Sequence, residues 1–425
     1  MEKIALTTLL TLALYTLNAQ NQSKGFGLTY ADSATVAKQK YIVPPRRVQG
    51  LVGTNKVDML NKFPPIGNQG EIGSCASWAT VYALRSYIEK QKKGHPYQHS
   101  DGTLDQNTVF NPLFIFNQVK ELDKRCDSVG SQIGSNLEKL QSVGACKYST
   151  FHHQPYEYPY CEVNPLHNIE AVSEANKYKI DDFGWAIRHG AFYFTGQKVN
   201  IIKSFLSQNF PLVIGIDFDS SFYKTGGQLV GEKYVWRETE SENIGSHALV
   251  CIGFNDSMRV IQVYNSWGES WANKGIGYIS YDLVDRKLFE AYIANPAVDM
   301  VWVPGYAMLK SADPQSPQES IEIQDQRNNF LNKSEKNFFI KDRYQNYNDI
   351  RIMPVHIDIK KQRAVFKVYQ IIDANPIEID VFALKPSETY TFSISGFNYD
   401  FTFLNIGRWN GIFSKKAVNY LIKAK

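Results

Sequence analysis

Four residues of this chain carry side chains whose chemistry converges on amide-bond cleavage: Gln69, Cys75, His247 and Asn265. The cysteine stands in the stretch 69–79, Gln-Gly-Glu-Ile-Gly-Ser-Cys-Ala-Ser-Trp-Ala, where a glycine-bearing loop ends at Gly73-Ser74 and a helix-forming run begins. A thiol at a helix N-terminus faces unpaired N–H groups and the positive end of the helix dipole, and both favour the nucleophilic thiolate. Gln69 can return over the loop and donate its amide to an oxyanion beside the sulfur. A histidine in reach can take the thiol proton, and an amide beside that histidine can orient its ring. The bland alternative for a lone cysteine is burial on an apolar helix.

The surrounding patterns supply the elements that must position these groups. Ala76, Ala79, Ala83 and Leu84 favour helix and Trp78, Tyr82 and Ile88 add apolar bulk, which predicts a helix from Cys75 through Tyr87. Gly245-Ser246-His247-Ala248-Leu249-Val250 opens an apolar run that Gly253 ends, and Val260–Tyr264 reads as a second strand delivering Asn265-Ser266-Trp267-Gly268. A histidine at the start of one strand and an asparagine at the end of the next can lie side by side. Asn111-Pro112-Leu113-Phe114-Ile115-Phe116 begins a further helix, 199–206 another, and 211–217 an apolar strand, all expected to build core. Residues 278–281 and 291–294 are expected to close a β-barrel.

This order, Gln-loop-Cys-helix, then His, then Asn-Ser-Trp-Gly, resembles the papain-like cysteine peptidases over roughly residues 63 to 303. The resemblance implies an α+β, two-lobed catalytic domain with a helical left lobe and a β-barrel right lobe. It implies Gln69 as oxyanion donor, Cys75 as nucleophile, His247 as base, Asn265 as orienter and Trp267 as shield of the His–Asn pair. It implies protein or peptide substrates and no cofactor or metal. The pattern departs from the family in three places. Ala76-Ser77 intervene before Trp78; insertions at 94–107 and 223–246 lengthen the path from Cys to His; and the glycine pair that backs a substrate main chain is reduced to Val129-Gly130-Ser131. Rival readings are an amidase or transpeptidase on the same residues, and a non-catalytic binding protein that uses the fold as a scaffold.

Residues 1–19 carry Lys3, an apolar run 6–17 and a small residue at Ala19, which reads as a secretory signal peptide and an extracytoplasmic destination. No later segment is apolar enough to span a bilayer. The net charge of +4 is small for 425 residues and makes no case for nucleic acid as a partner. Of five cysteines, Cys126 and Cys161 resemble a family disulfide; Cys146 between them can replace either partner, and Cys251 in the apolar strand reads as inert. His152-His153 lacks a second paired ligand set and reads as surface. Segment 20–62 is shorter than the helical inhibitory prosegments of the family, so a full inhibitory propeptide is expected to be absent, and Arg46-Arg47 reads as a basic linker or a processing site.

After Pro304 the composition changes. Residues 305–349 are polar and read as a linker, most clearly over 311–348. From 350 to 425 short strands, at 363–371, 377–384, 390–394 and 399–404, predict a small all-β domain. Phe392, Ile394, Phe401 and Phe403 are expected to fill one face. Tyr390, Phe397, Tyr399 and Trp409 read as core or as an aromatic patch for a surface or glycan.

Overall fold

The computed structural model describes residues 24–31, 39, 41–43, 54–121, 130–151, 164–191, 193–295, 301–303, 336–340, 345–347, 350–358, 360–372, 375–394, 397–409 and 415–424. The candidate signal peptide, Arg46-Arg47, Cys126, Cys161 and His152-His153 lie outside them. Among the described residues no helix is long and apolar enough to cross a membrane.

The organising helix, α1, spans 75–93. It starts as an α-helix at Cys75–Ser77, widens into a π-helix over Trp78–Arg85, and returns to α over Ser86–Lys93. It therefore runs past Tyr87, and Gly94 ends it in the left-handed region at φ 67°. Every residue from Cys75 to Glu89 is buried, as befits a helix that is apolar or small on all sides. Helices α2 (Pro112–Glu121), α3 (Ile133–Ser142) and α4 (Ile169–Ala175) complete the helical lobe. Asn168 caps α4 by accepting from Ala171 N–H.

The other lobe is a nine-stranded sheet. Its strands are β1 (Tyr41–Val43), β2 (Lys56–Asp58), β3 (Phe183–Ile187), β4 (Leu212–Phe218), β7 (Gly245–Asn255), β8 (Val260–Tyr264), β9 (Ile276–Ser280), β10 (Leu288–Ala294) and β11 (Val301–Val303). They run in the order β11-β1-β3-β10-β4-β7-β8-β9, with β2 also paired to β7. A separate hairpin, β5 (Gln228–Val230) and β6 (Lys233–Val235), occupies the insertion before His247. Helices α5 (Gln197–Leu206), α6 (Ser220–Thr225) and α7 (Tyr281–Lys287) connect the strands. Strands β3, β4 and β8 are buried on both faces and mostly apolar, interrupted by Asp217 in β4 and Gln262 in β8, because one face of the sheet meets α1 and the other meets its own connections.

The C-terminal region forms two four-stranded antiparallel sheets. One is ordered β12 (Lys336–Ile340), β19 (Lys415–Ala424), β18 (Phe397–Trp409), β17 (Thr389–Ile394). The other is ordered β13 (Gln345–Tyr347), β14 (Ile350–Asp358), β15 (Arg363–Ile372), β16 (Asn375–Leu384). Strands β12 and β13, five and three residues long, fall in the stretch read as linker; they are short runs inside a polar tract. Phe366, Phe382, Phe392, Tyr399, Phe401 and Phe403 fill the space between the sheets. The aromatic-patch reading fails for the two members whose side chains are described. Tyr399 is core, and Tyr390 donates to Asp380 at 3.1 Å and accepts from Lys179 Nζ at 3.0 Å, on the helical lobe.

Those last contacts belong to an interface in which the β-domain docks on the helical lobe. Lys139 of α3 and Lys367 both pair with Glu378, Lys179 pairs with Asp380, and Lys361 reaches Glu170 of α4. Val365 and Val381 join the main core. Burial opposes the charge of Glu378, but Lys139 and Lys367 outweigh it and hold the carboxyl below its usual range. A lowered carboxyl stabilises the fold above its unfolded pKa and loses that contribution as pH falls. Glu378→Ala strands two lysines at this seam and is expected to cost about 3 kcal/mol. Thermal melts of the full chain check it; an unchanged midpoint would mean the domains dock without this pair.

Candidate active site

Two loops meet at the site. Gly67 admits the first: a Cβ there would lie 2.2 Å from the Trp78 ring. The second follows β8, and Asn265 N–H bonds Gly275 O at 3.1 Å. The loops zip together where Gln69 N–H donates to Ser266 O at 2.8 Å and Asn68 bridges Trp267. Gln69 is fully buried. Its Oε1 accepts from Ser266 Oγ at 2.6 Å and its Nε2 donates to Ile72 O at 2.7 Å. Those two bonds fix the amide plane and leave one N–H of Nε2 to spare over the loop that leads to Cys75.

Cys75 is the first residue of α1 and His247 the third of β7. Ser77, where the family pattern is broken, ties α1 to α3: its Oγ bonds Asn136 Oδ1, and Asn136 Nδ2 donates to Ser131 Oγ at 2.8 Å. His247 Nε2 lies 2.7 Å from Asn265 Oδ1, which also accepts from Ser266 N–H at 2.7 Å. An amide oxygen only accepts, so His247 carries its proton on Nε2. Nδ1 is buried and has no hydrogen-bond partner. Trp267 stacks on the imidazole with ring centres 4.2 Å apart. Burial lowers the His247 pKa to about 4, against the Asn265 bond, which raises it. Burial likewise pushes the Cys75 thiol up, opposed by backbone groups of Ala248, Gly27, Ala76 and Cys75 itself. Both groups are therefore held neutral, although the helix terminus alone favours a thiolate.

The reason is a strip of chain that keeps water out. Residues 24–31 cross the site, and Gly27 is within hydrogen-bond reach of the sulfur. Gly25 N–H donates to Gly70 O at 2.7 Å, and Gly25 O accepts from Trp267 Nε1 at 2.8 Å. Leu28 N–H donates to Ser246 O at 3.3 Å, and Leu28 bridges Ser131 in parallel. The fit depends on glycine: a Cβ on Gly27 would lie 2.9 Å from backbone atoms of both Gly130 and Gly73. Gly130, at φ 42°, would put a Cβ 1.1 Å from Gly27 O. A full inhibitory propeptide is not expected from a segment as short as 20–62; residues 24–31 hold no helix, yet they occupy the cleft.

The family model for papain family cysteine proteases matches residues 54–287, more than half of the chain. The chain belongs to the papain family. An uncharacterized peptidase C1-like protein, L477, of Acanthamoeba polyphaga mimivirus is 28% identical over 249 residues, 57% of this chain and 72% of that protein. Among solved structures, xylellain, a cysteine protease from Xylella fastidiosa, superposes with TM-score 0.51 at 18% identity, covering 65% of this papain-family chain and 97% of xylellain. Digestive procathepsin L 3 of Tenebrio molitor gives TM-score 0.42 at 14% identity, over 62% of this chain and 77% of its own. The papain-like α+β fold and the class, a cysteine peptidase, follow from the family.

Gln69, Cys75, His247, Asn265 and Trp267 are brought together in one place. Cys146 is a free buried thiol, so it replaces neither disulfide partner, and Cys251 is free and buried within β7. Three contributors were not foreseen: Ser266, which holds Gln69; Asn136, which answers the unexpected Ser77; and segment 24–31. Only Ser266 had a signal, its place inside the Asn-Ser-Trp-Gly motif.

Proposed function

We propose that this papain-family chain hydrolyses peptide bonds through Cys75, His247, Asn265 and Gln69, and that residues 24–31 hold it closed. The observation that carries the reading is His247: Asn265 fixes Nε2, so the buried, unpartnered Nδ1 is the nitrogen free to take the thiol proton. The Cys75 thiolate then attacks the peptide carbonyl. The spare N–H of Gln69 and the Cys75 N–H stabilise the oxyanion. His247 returns the proton to the leaving amine, then draws one from the water that opens the thioester. The lysine and apolar run of residues 1–19 support export of the chain.

The direction of segment 24–31 supports closure rather than cleavage. The leaving amine must lie near its proton donor, so the amine side of a substrate lies at the His247–Trp267 flank and its acyl side at Ser131 and Ser246. A substrate runs from acyl to amine side. Segment 24–31 runs the opposite way, from Trp267 at Gly25 to Ser131 at Leu28. It therefore crosses the cleft in reverse, with Gly27 O turned to Gly130 and Gly25 O to Trp267 rather than to the sulfur, and it blocks without being cut.

The test is Gly27→Val. Its Cβ has no room against the backbone, and such overpacking costs about 1–3 kcal/mol, enough to open the cleft by roughly ten- to a hundredfold in population. Cleavage of a fluorogenic peptide should rise by that factor, the reverse of ordinary mutational damage. Alkylation of Cys75 by iodoacetamide should also move to lower pH, because water readmitted to the site favours the thiolate that burial opposes. Unchanged turnover would remove the closure; an inert Cys75 and no cleavage by either chain would remove the peptidase reading.

A further inference from the structure

Asparagine is a poor helix former, yet Asn136 is the fourth residue of α3, and it is wholly buried. Its amide is fully used. Oδ1 accepts from Ser77 Oγ, and Nδ2 donates to Ser131 Oγ and to Gln132 O, each at 2.8 Å. A residue that weakens its own helix and ties three groups in a dry interior owes its place to those groups.

The three groups frame the cleft. Ser77 lies two residues beyond Cys75, in the first turn of α1. Ser131 and Gln132 continue the chain from Gly130, whose N lies 2.9 Å from where a Gly73 Cβ would be, on the loop that leads to Cys75. The free edge of this strip takes an extended chain: Leu28 of the closing segment bridges Ser131, and Thr29 N–H donates to Ser131 O at 3.5 Å. Once that segment leaves, the acyl-side main chain of a substrate meets the same edge. Asn136 thus sets the distance between the backbone that receives the substrate and the sulfur that attacks it.

The same helix carries a docking contact of the C-terminal β-domain. Lys139 lies three residues after Asn136, almost one turn on, and pairs with Glu378 of β16. Val381 of β16 joins the main core. Ile133, Leu137 and Leu140 hold α3 in its lobe by apolar packing, which is non-directional. Hydrogen bonds and ion pairs have direction, so the slide and rotation of α3 are fixed at Asn136 and at Lys139.

We propose that Asn136 is a positioning residue for the substrate main chain, and that the C-terminal β-domain sets it through Lys139. The proposal rests on the peptidase reading above, and it gives the β-domain a part in turnover. The effect falls on the grip of the acyl-side main chain, since none of the three bonds of Asn136 reaches Cys75, His247 or Gln69.

The experiment uses the full chain with Gly27→Val and two coumarin amides that share the residue at the scissile bond. One carries a four-residue acyl side, the other that residue alone. The readout is the ratio of kcat/KM, long over short, which the concentration of active protein does not alter. Asn136→Leu should lower the ratio by roughly ten- to a hundredfold, through misplacement of the strip. Lys139→Met should lower it by roughly three- to tenfold, and Glu378 keeps Lys367 in that chain. Because Lys139 acts through Asn136, the double variant should fall short of the product of the two factors. Ser131→Ala takes the place of Asn136→Leu in this cycle if that chain does not fold. A merely structural Asn136 would lower both rates together, so an unchanged ratio overturns the positioning role. Factors that multiply overturn the link to the β-domain. No cleavage of either substrate, with Cys75 inert to iodoacetamide, overturns the peptidase reading and this proposal with it.

Discussion

Cys75→Ala in the Gly27→Val background is expected to lose peptide hydrolysis by roughly ten-thousandfold or more, because no other group at the site can form the acyl intermediate. The fold should survive. Cys75 is completely buried at the first position of α1, and exchange of a thiol for a methyl leaves only a small void, worth about 1 kcal/mol. Neither Asn265 nor Gln69 bonds the sulfur, so their hydrogen bonds to His247, Ser266 and Ile72 should persist. Turnover measured on protein whose circular dichroism matches the parent is the check. Hydrolysis within tenfold of the parent would assign the nucleophile elsewhere.

Gln69→Ala is expected to lower kcat by roughly a hundred- to a thousandfold with little change in KM, since an oxyanion donor acts mainly in the transition state. The substitution also removes two buried hydrogen bonds, leaving Ser266 Oγ and Ile72 O without Gln69. A fall in melting temperature is therefore expected on either account, and does not discriminate. The rate per active site does, counted by titration with an irreversible thiol reagent. If each surviving site turns over at the parental kcat, Gln69 is only a strut.

The elements that carry the site were legible because each chemical group sits at the boundary of a strongly patterned segment. Cys75 follows Gly73-Ser74 into an apolar helix, His247 opens an apolar strand, and Asn265 ends the next one. Such boundaries are local, and local patterns survive in a single sequence. What was not legible depends on partners far away in the chain. Gly25-Phe26-Gly27 has no periodicity, and it docks through backbone atoms, two missing side chains and the Phe26 ring on Phe218 and Tyr223, which composition does not reveal. The edge strands β12 and β13 are only five and three residues long, too brief to stand out from the polar tract around them. The ionisation of the Cys–His pair was expected from the helix terminus, but burial beneath segment 24–31 reverses the balance.

The anchoring of β1 bears on how such a chain is switched on. Shortly after leaving the cleft at Ala31, the backbone enters the sheet at Tyr41–Val43, antiparallel to β11 and beside β3. The plug is thus moored to the scaffold it obstructs, and its local concentration is on the order of millimolar however dilute the protein becomes. Dilution cannot wash it out, and a competing peptide would need to be present at comparable strength. Scission between the plug and its mooring turns a one-molecule equilibrium into a two-molecule one, and the short fragment then drifts away. On the proposed closure, latency is a matter of connectivity, and one backbone cut between Ala31 and Tyr41 is expected to end it.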